Sequence, residues 1–393
     1  MDGIGIAGPL DLNILCDSLD LLSSRIPRGL GGTVLPPIII ELVKRGHRII
    51  VFTLDQSINT PLIIEKDLIK ICVCPSRQNR RARDFFALER RYLVKCMQNE
   101  KISLINAHWT YEFALASLST GIPTLVTAHD TPLQILRFNP SPYQLMRTLM
   151  AFIVINKTKS MTVVSPYIKN QYTNRYGYHK SISIIPNGLS KEIFSLTNYS
   201  NKKSKNNLVF ASALNGWSRL KNSKNLIRAF SIVHQNNYTA ELWLFGNGHN
   251  PNGPAQIWAE KNKVSEGVRF WGNVDNKTML QLFAENVDIL VHPSLEESFC
   301  MSIIEALALG LPVIGGINSG AVPSTLDFGK AGVLVDVRSP SKIADAMLEL
   351  GSNNVMFRHY AETGRAYAHA NFRIERVVDL YEAQYIDLVQ SIL

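Results

Sequence analysis

Strand-length apolar runs alternate with longer amphipathic stretches along almost the whole chain, and the alternation is interrupted once. Ile4–Ala7, Ile49–Thr53, Ser103–Asn106, Thr124–Thr127, Met161–Val164 and Ile182–Ile185 read as buried strands. Helix-length patterns such as Pro37–Arg45 and Asp84–Met97 lie between them. This order predicts a parallel sheet covered on both faces, because each parallel connection must cross over the sheet. The interruption is Ser195–Asn207, with three lysines and almost no apolar content, which reads as a linker. The alternation then restarts. Leu208–Ala211, Glu241–Phe245, Gly267–Trp271, Ile289–Val291, Pro312–Ile314 and Gly332–Val335 are strand candidates. Asn225–His234, Thr278–Glu285, Ser302–Leu309 and Ile343–Leu350 are helices between them, and Glu375–Val389 is a last amphipathic helix.

The expected architecture is therefore α/β, with two tandem Rossmann-like, doubly wound domains. Their expected bounds are 1–194 and 208–375, joined by the linker 195–207. The helix 376–393 is expected to pack back on the first domain. Ligands of doubly wound sheets bind beyond the carboxyl ends of the strands, so two such domains predict a cleft between them.

Composition narrows the function classes. The chain has 393 residues, 46% apolar and 19% charged, which suits two or three globular domains and excludes a disordered or collagenous chain. The formal charge of +9 favours anionic partners. Five cysteines, with only Cys72 and Cys74 close in sequence, show neither zinc-site spacing nor a disulfide framework. The N-terminus has no basic segment of the secretory type, and the most apolar stretch, Leu145–Ile155, is interrupted by Arg147. The expectation is a cytoplasmic protein, soluble or peripheral at the inner face of the membrane.

Several motifs fall at predicted strand ends. Gly3-Ile4-Gly5-Ile6-Ala7-Gly8 matches a dinucleotide fingerprint in spacing, but it is itself the first strand, so the match is rejected. Gly246-Asn247-Gly248 follows a strand but lacks the third glycine. Gly29-Leu30-Gly31-Gly32 precedes a helix and is either an anion-approaching loop or an ordinary glycine-rich one. His108, with Trp109 and Glu112 after it, and His129 each follow a strand, where a ligand would sit; either could equally be a satisfied core histidine. The loop Asn215–Asn222 carries Arg219 and Lys221, suited to a diphosphate, or simply solvated.

Pro293–Glu305 is the most informative stretch. Glu297 falls at or just before a helix start, and Glu305 lies about two turns on, which would return it to the same face. Paired carboxylates suit sugar or ribose hydroxyls, although an acidic first turn is also common capping. Arg77–Cys96 holds seven basic and two acidic residues. It reads either as a sheet-covering helix with a basic outer face or as a contact for an anionic membrane surface. No recognition motif suggests nucleic acid. No Asp-x-Asp occurs, so no catalytic metal and no cofactor is expected.

Taken together, these residues resemble retaining GT-B-fold glycosyltransferases of family four. The resemblance rests on Glu297 and Glu305 followed by Ala306–Ile314, and on Ser319-Gly320-Ala321-Val322-Pro323. Arg45-Gly46-His47, Ile185-Pro186-Asn187-Gly188 and Phe270-Trp271-Gly272-Asn273-Val274 support it. It implies transfer of a sugar from a nucleoside diphosphate sugar, the co-substrate, to a hydroxyl of a glycan or lipid-linked glycan. Glu297 would contact the donor sugar and Glu305 the ribose. Ser298, Phe299 and Cys300 would face the diphosphate with Lys221, while Gly272, Asn273 and Val274 would border the base. In the first domain, Gly31 and Gly32 would approach phosphate or acceptor, and His129 would face the donor sugar. His108, Trp109 and Glu112 would lie on the acceptor side. Three departures stand out: Arg219 lies only two positions before Lys221, Cys300 replaces a usual glycine, and Ser324 replaces a common acid. The alternatives are a nucleotide-sugar epimerase or phosphorylase on the same architecture, and a non-catalytic nucleotide-sugar-binding protein.

Overall fold

A computed structural model describes residues 2–21, 26–196 and 207–391. Most of the expected linker, 197–206, lies outside the described residues. The chain forms two compact units. One runs to Gly188 and resumes at Ile374; the other is Leu189–Arg373. The first boundary thus falls ahead of 194. Leu189 is tied to the second unit by its N–H, which donates to Phe372 O at 2.7 Å.

The first unit is built on an eight-stranded sheet. Its strands are β1 Gly3–Ala7, β2 Ile49–Asp55, β3 Leu62–Lys66, β4 Ile69–Pro75, β5 Ile102–His108, β6 Thr124–Ala128, β7 Ser160–Val163 and β8 Ile182–Ile184. The order is β3-β4-β2-β1-β5-β6-β7-β8, parallel except for β3 against β4. Strands β1 and β2 are buried at every position because both faces are covered. Along β2, Ile49 and Val51 join a core with the helix Leu35–Lys44, while Ile50 and Phe52 join the opposite core. The β3–β4 hairpin was not anticipated. Its tight turn uses Asp67 at φ +50° instead of glycine, so the run Leu62–Pro75 carries no obvious turn signal.

The helix expected over Asp84–Met97 is interrupted. A 3-10 turn spans Arg81–Asp84, Phe85 and Phe86 adopt φ of +53° and +58°, and the helix is Ala87–Gln98. The buried Phe86 ring, with Arg81 over it, anchors this strained corner. Part of the basic run is neutralised internally: Arg77 pairs with Asp84 at 2.8 Å and with the fully buried Glu89 at 2.7 Å.

The last helix, Ile374–Gln390, completes the first unit. It buries Val377, Val378, Tyr381 and Tyr385, each worth roughly 1.5–3 kcal/mol for a large apolar side chain. Arg45 clamps it through Asp379 at 2.7 Å, Glu382 at 2.5 Å and Glu375 O at 2.8 Å, and His47 meets Glu382 at 2.6 Å. Beneath it, Asn106 Nδ2 donates to the Tyr385 hydroxyl.

The second unit holds β9 Val209–Ala213, β10 Glu241–Phe245, β11 Val268–Gly272, β12 Ile289–His292, β13 Val313–Gly316 and β14 Val333–Val335. All pairs are parallel, in the order β11-β10-β9-β12-β13-β14. The order reverses between β9 and β12, the switch point where doubly wound sheets bind ligands. Helices Ser223–Asn236 and Pro340–Ser352 cover one face through Leu226, Ile227, Phe230, Ile343 and Met347. The five cysteines are free thiols. Among the described residues, no helix is long and apolar enough to cross a membrane.

Candidate active site

At the switch point of the second unit, the loops after β9 and β12 meet. Leu295 N–H donates to Leu220 O at 2.8 Å, and Asn222, at φ +55°, donates from its amide to Pro293 O and Val337 O. These bonds fix the backbone on either side of Lys221. Its ammonium reaches Glu297 Oε1 at 2.7 Å, and His292 Nε2, from the last residue of β12, reaches the same oxygen at 3.2 Å. The other carboxylate oxygen, Oε2, accepts nothing from the described residues.

Burial by itself would raise the Glu297 carboxyl, but the Lys221 charge and His292 outweigh it and hold it down at about 2. Burial disfavours the His292 imidazolium, yet the Cys300 sulfur and Glu297 raise it to about 9. Lys221 is also raised, Glu297 outweighing burial. Near neutral pH the cluster therefore has two cations and one carboxylate, a net positive site with a free carboxylate oxygen. Such a site can hold a hydroxyl and stabilise an anion together.

Glu297 does not lie on the helix that carries Glu305. The helix is Met301–Ala308, and Cys300 before it is extended (φ −140°, ψ 97°), so the two-turn argument for a shared face fails. Glu305 has a different surrounding: it is 5% exposed, accepts from Asn276 Nδ2 at 3.0 Å, and is pushed by burial up to about 7. Phe299 and Cys300 lead into that helix, whose N-terminus has no side-chain cap. The Cys300 sulfur turns to His292 at 3.4 Å and to Ser302 Oγ at 3.4 Å. Ser298 lies between Glu297 and Phe299, partly exposed. The run Ser319–Pro323 braces Glu297 from behind. Ala321 N–H donates to Glu297 O at 2.8 Å, and a Cβ on Gly320, at φ +63°, would come within 2.4 Å of that oxygen. Only glycine fits there.

Gly272 ends β11, and its carbonyl accepts from Gly246 N–H at 2.7 Å; Asn273 and Val274 follow, leading to Asn276. Arg219 is not in the Glu297 cluster. It lines a cavity with Trp217 and Lys224 whose lining includes neither Lys221 nor Glu297.

The first unit has its own polar cluster. His108 Nδ1 and His129 Nε2 are 2.8 Å apart, and the Trp109 ring stacks on His129 at 4.2 Å. Trp109 is held at φ +66°, an uncommon conformation for a bulky residue that often marks a functional site. Burial lowers His129 to about 3 and His108 well below its usual range, so both rings are neutral. Glu112 and Asp130 are both raised by burial, with Arg147 opposing. Arg147 lies 3.7 Å over the Tyr111 ring, and the Tyr111 hydroxyl donates to Asp130. The glycine loop is partly self-satisfied. Gly31 N–H donates to Leu10 O, and a Cβ on Gly32 would lie 2.3 Å from Pro9 O.

His292 and Asn276 were missed in the sequence. His292 is the last residue of a strand at the switch point, which is the signal that would have found it. Asn276 sits in a helix first turn capped by Asp275 and carries no distinguishing pattern.

Two Rossmann-like units in tandem, the second with a lysine–glutamate pair at its switch point, define the GT-B architecture of sugar-transferring enzymes. Residues 205–353 match the family model for glycosyl transferases group 1, and residues 37–193 match that for Glycosyltransferase Family 4. The chain belongs to the group 1, family-four-like glycosyltransferases. It is 23% identical over 310 residues to N-acetyl-alpha-D-glucosaminyl L-malate synthase of Bacillus anthracis, covering 76% of this chain and 78% of that one. Sucrose-phosphate synthase from Thermosynechococcus elongatus superimposes with a TM-score of 0.78 at 16% identity, covering 100% of both chains. The Anabaena protein HepE, solved with UDP and glucose, gives a TM-score of 0.69 at 16% identity, covering 98% of this chain and 99% of that one. These matches favour sugar transfer over the epimerase, phosphorylase and binding-protein alternatives.

Proposed function

We propose that this glycosyltransferase moves a sugar from a nucleoside diphosphate donor to an acceptor hydroxyl with retention of anomeric configuration, in glycan or polysaccharide assembly. The observation that carries the reading is the Lys221–Glu297–His292 cluster at the switch point, with its free carboxylate oxygen. Glu297 Oε2 accepts from hydroxyls of the donor sugar, and Glu305 accepts from the ribose. Lys221 and backbone amides at Ser298, Phe299 and Cys300 face the diphosphate, and Gly272, Asn273 and Val274 border the base. The complex of HepE with UDP and glucose supports a nucleotide-sugar donor.

In the transfer, the acceptor oxygen forms a bond to the anomeric carbon on the face the diphosphate leaves. The bond from that carbon to the diphosphate oxygen breaks, and the acceptor proton passes to the departing phosphate. Fixed cations and helix amides stabilise the leaving charge without reorganising, so the reading is metal-independent. In the first unit, His129 acts as a neutral hydrogen-bonding group toward the sugar, and Gly31 and Gly32 approach phosphate or acceptor. His108, Trp109 and Glu112 serve the acceptor side. The acceptor is a glycan or lipid-linked glycan, reached from the cytoplasmic face of the membrane. Exposed Leu145, Leu149 and Ile153 recur every four residues on the helix Pro142–Lys157 and support that contact. Arg90, Arg91 and Lys95 border a shallow basic cavity on Ala87–Gln98 and add the charge.

The experiment is incubation with UDP-, GDP-, ADP- and CDP-sugars and acceptor panels, with the product's anomeric configuration read by NMR. Retention with one base is expected. An inverted product overturns the retaining reading, and isomerised donor without acceptor overturns transfer.

A further inference from the structure

We propose that the second unit carries a phosphoryl-binding pocket outside the Lys221–Glu297 cluster, formed by Arg219, Lys224 and Arg228. The three residues line one cavity of about 370 Å3 at the start of the helix Ser223–Asn236. None of them makes an ion pair with an acid among the described residues, and the lining contains no carboxylate. Three uncompensated cations around one cavity repel each other, and an anion relieves that repulsion.

Two of the cations, Lys224 and Arg228, are also held in place. Lys224 Nζ lies 5.6 Å from the rings of both Trp217 and Trp258, and Arg228 Cζ lies 5.2 Å from Trp258. The two indoles are 5.9 Å apart, and Trp217 packs edge-on against the buried His249. Indole faces orient ammonium and guanidinium groups without neutralising them. Lys224 and Arg228 are four residues apart, so they project from one face of the helix. Ser218 Oγ accepts the Lys221 N–H at 3.4 Å, which leaves its proton for an anion. The amide nitrogens of Asn222 and Asn225 are already committed to backbone carbonyls. What the cavity offers is thus three cations and a hydroxyl, the chemistry that recognises a phosphoryl group of two or more charges. That group is either free in solution, as a phosphate ester or diphosphate, or the head of a lipid. The loop Trp217–Asn222 links this pocket to Lys221, so its occupancy would stiffen the lysine's support. The inference does not depend on the transfer reading.

Inorganic diphosphate, titrated calorimetrically into the full chain, tests it. Lys221→Ala serves as background to remove binding at the switch point. Diphosphate is expected to bind in that background and to weaken at least tenfold when Lys224→Glu and Arg228→Glu are added. Lys224→Gln with Arg228→Gln, milder on the fold, should give an intermediate loss. Binding that vanishes with Lys221→Ala alone, or that survives the charge reversals unchanged, overturns the proposal. A second arm uses phosphatidate-containing against phosphatidylcholine vesicles. Sedimentation with the former only, competed by diphosphate and lost in the reversed variant, assigns the lipid headgroup. No sedimentation, with diphosphate still bound, assigns the soluble phosphate. Sugar transfer assayed on the same Lys224 and Arg228 variants separates failure here from failure of the donor site.

Discussion

Replacing Glu305 with glutamine removes a buried carboxylate that accepts one hydrogen bond, from Asn276. Burial lifts this carboxyl from its ordinary 4.5 to about 7. The folded protein therefore keeps a proton on Glu305 up to about pH 7, whereas the unfolded chain releases it near 4.5. Between those values the unfolded state binds fewer protons, so stability from this group falls as pH rises, and it is level above 7. A shift of this size corresponds to about 3 kcal/mol, at roughly 1.4 kcal/mol per unit. Glutamine keeps the shape and the Asn276 contact but does not titrate. The stability gap between Glu305→Gln and wild type should accordingly move by about 3 kcal/mol in favour of the variant from pH 4.5 to 8. Urea unfolding at a series of pH values, followed by tryptophan fluorescence, reads it. Four of the five tryptophans, Trp217, Trp243, Trp258 and Trp271, belong to the second unit, so most of the signal reports on that part of the chain. A gap that stays constant across the series refutes the reasoning. If Glu305 also binds ribose through its ionised form, donor affinity in wild type should rise between pH 6 and 8, and in the variant it should not.

Three further outcomes are expected. Lys221→Met leaves Glu297 held by His292 alone; breaking a buried pair costs about 3 kcal/mol, and sugar transfer should fall at least ~100-fold. Activity within tenfold of wild type would remove Lys221 from the donor site. His292, raised from 6.5 to about 9, contributes stability fully present below 6.5 and lost as pH rises through 9. Unfolding of His292→Gln should lack that loss, and an equal loss in both proteins would contradict it. Arg45→Ala removes three contacts to the last helix. The first unit should lose roughly 1–3 kcal/mol, and hydrogen exchange should accelerate in Ile374–Gln390 before elsewhere; unchanged protection would sink the clamp reading.

The sheets were legible because a strand buried on both faces, such as β1 or β2, is a largely apolar run, and the twelve strand-length segments named from the sequence coincide with strands of the structure to within a few residues. The hairpin of β3 and β4 was not, because an aspartate in a left-handed turn leaves no glycine to mark it. The corner at Phe85 and Phe86 escaped for a related reason: the helical spacing of the basic run continues through residues that tertiary packing holds out of helix. At the site, Lys221 and Glu297 were named from the chain and do meet. Their setting was not readable, since Glu305 and Glu297 sit eight apart in sequence but answer to different partners, and His292 enters only through the sheet order. Arg219, two residues from Lys221, lines a cavity whose lining does not include Lys221.

The last helix closes the first unit although the entire second unit is translated in between. On the ribosome, the surface of β5, β6 and the helix Leu35–Lys44 that receives Tyr381 and Tyr385 must wait for Ile374–Gln390, which follows the second unit. At ~5–20 residues per second, that delay is roughly 10–40 seconds. During it the second unit can fold on its own while the first exposes an unfinished apolar face. Nascent chains stalled before Ile374 should therefore recruit chaperones through the first unit, and adding back the final helix should release them.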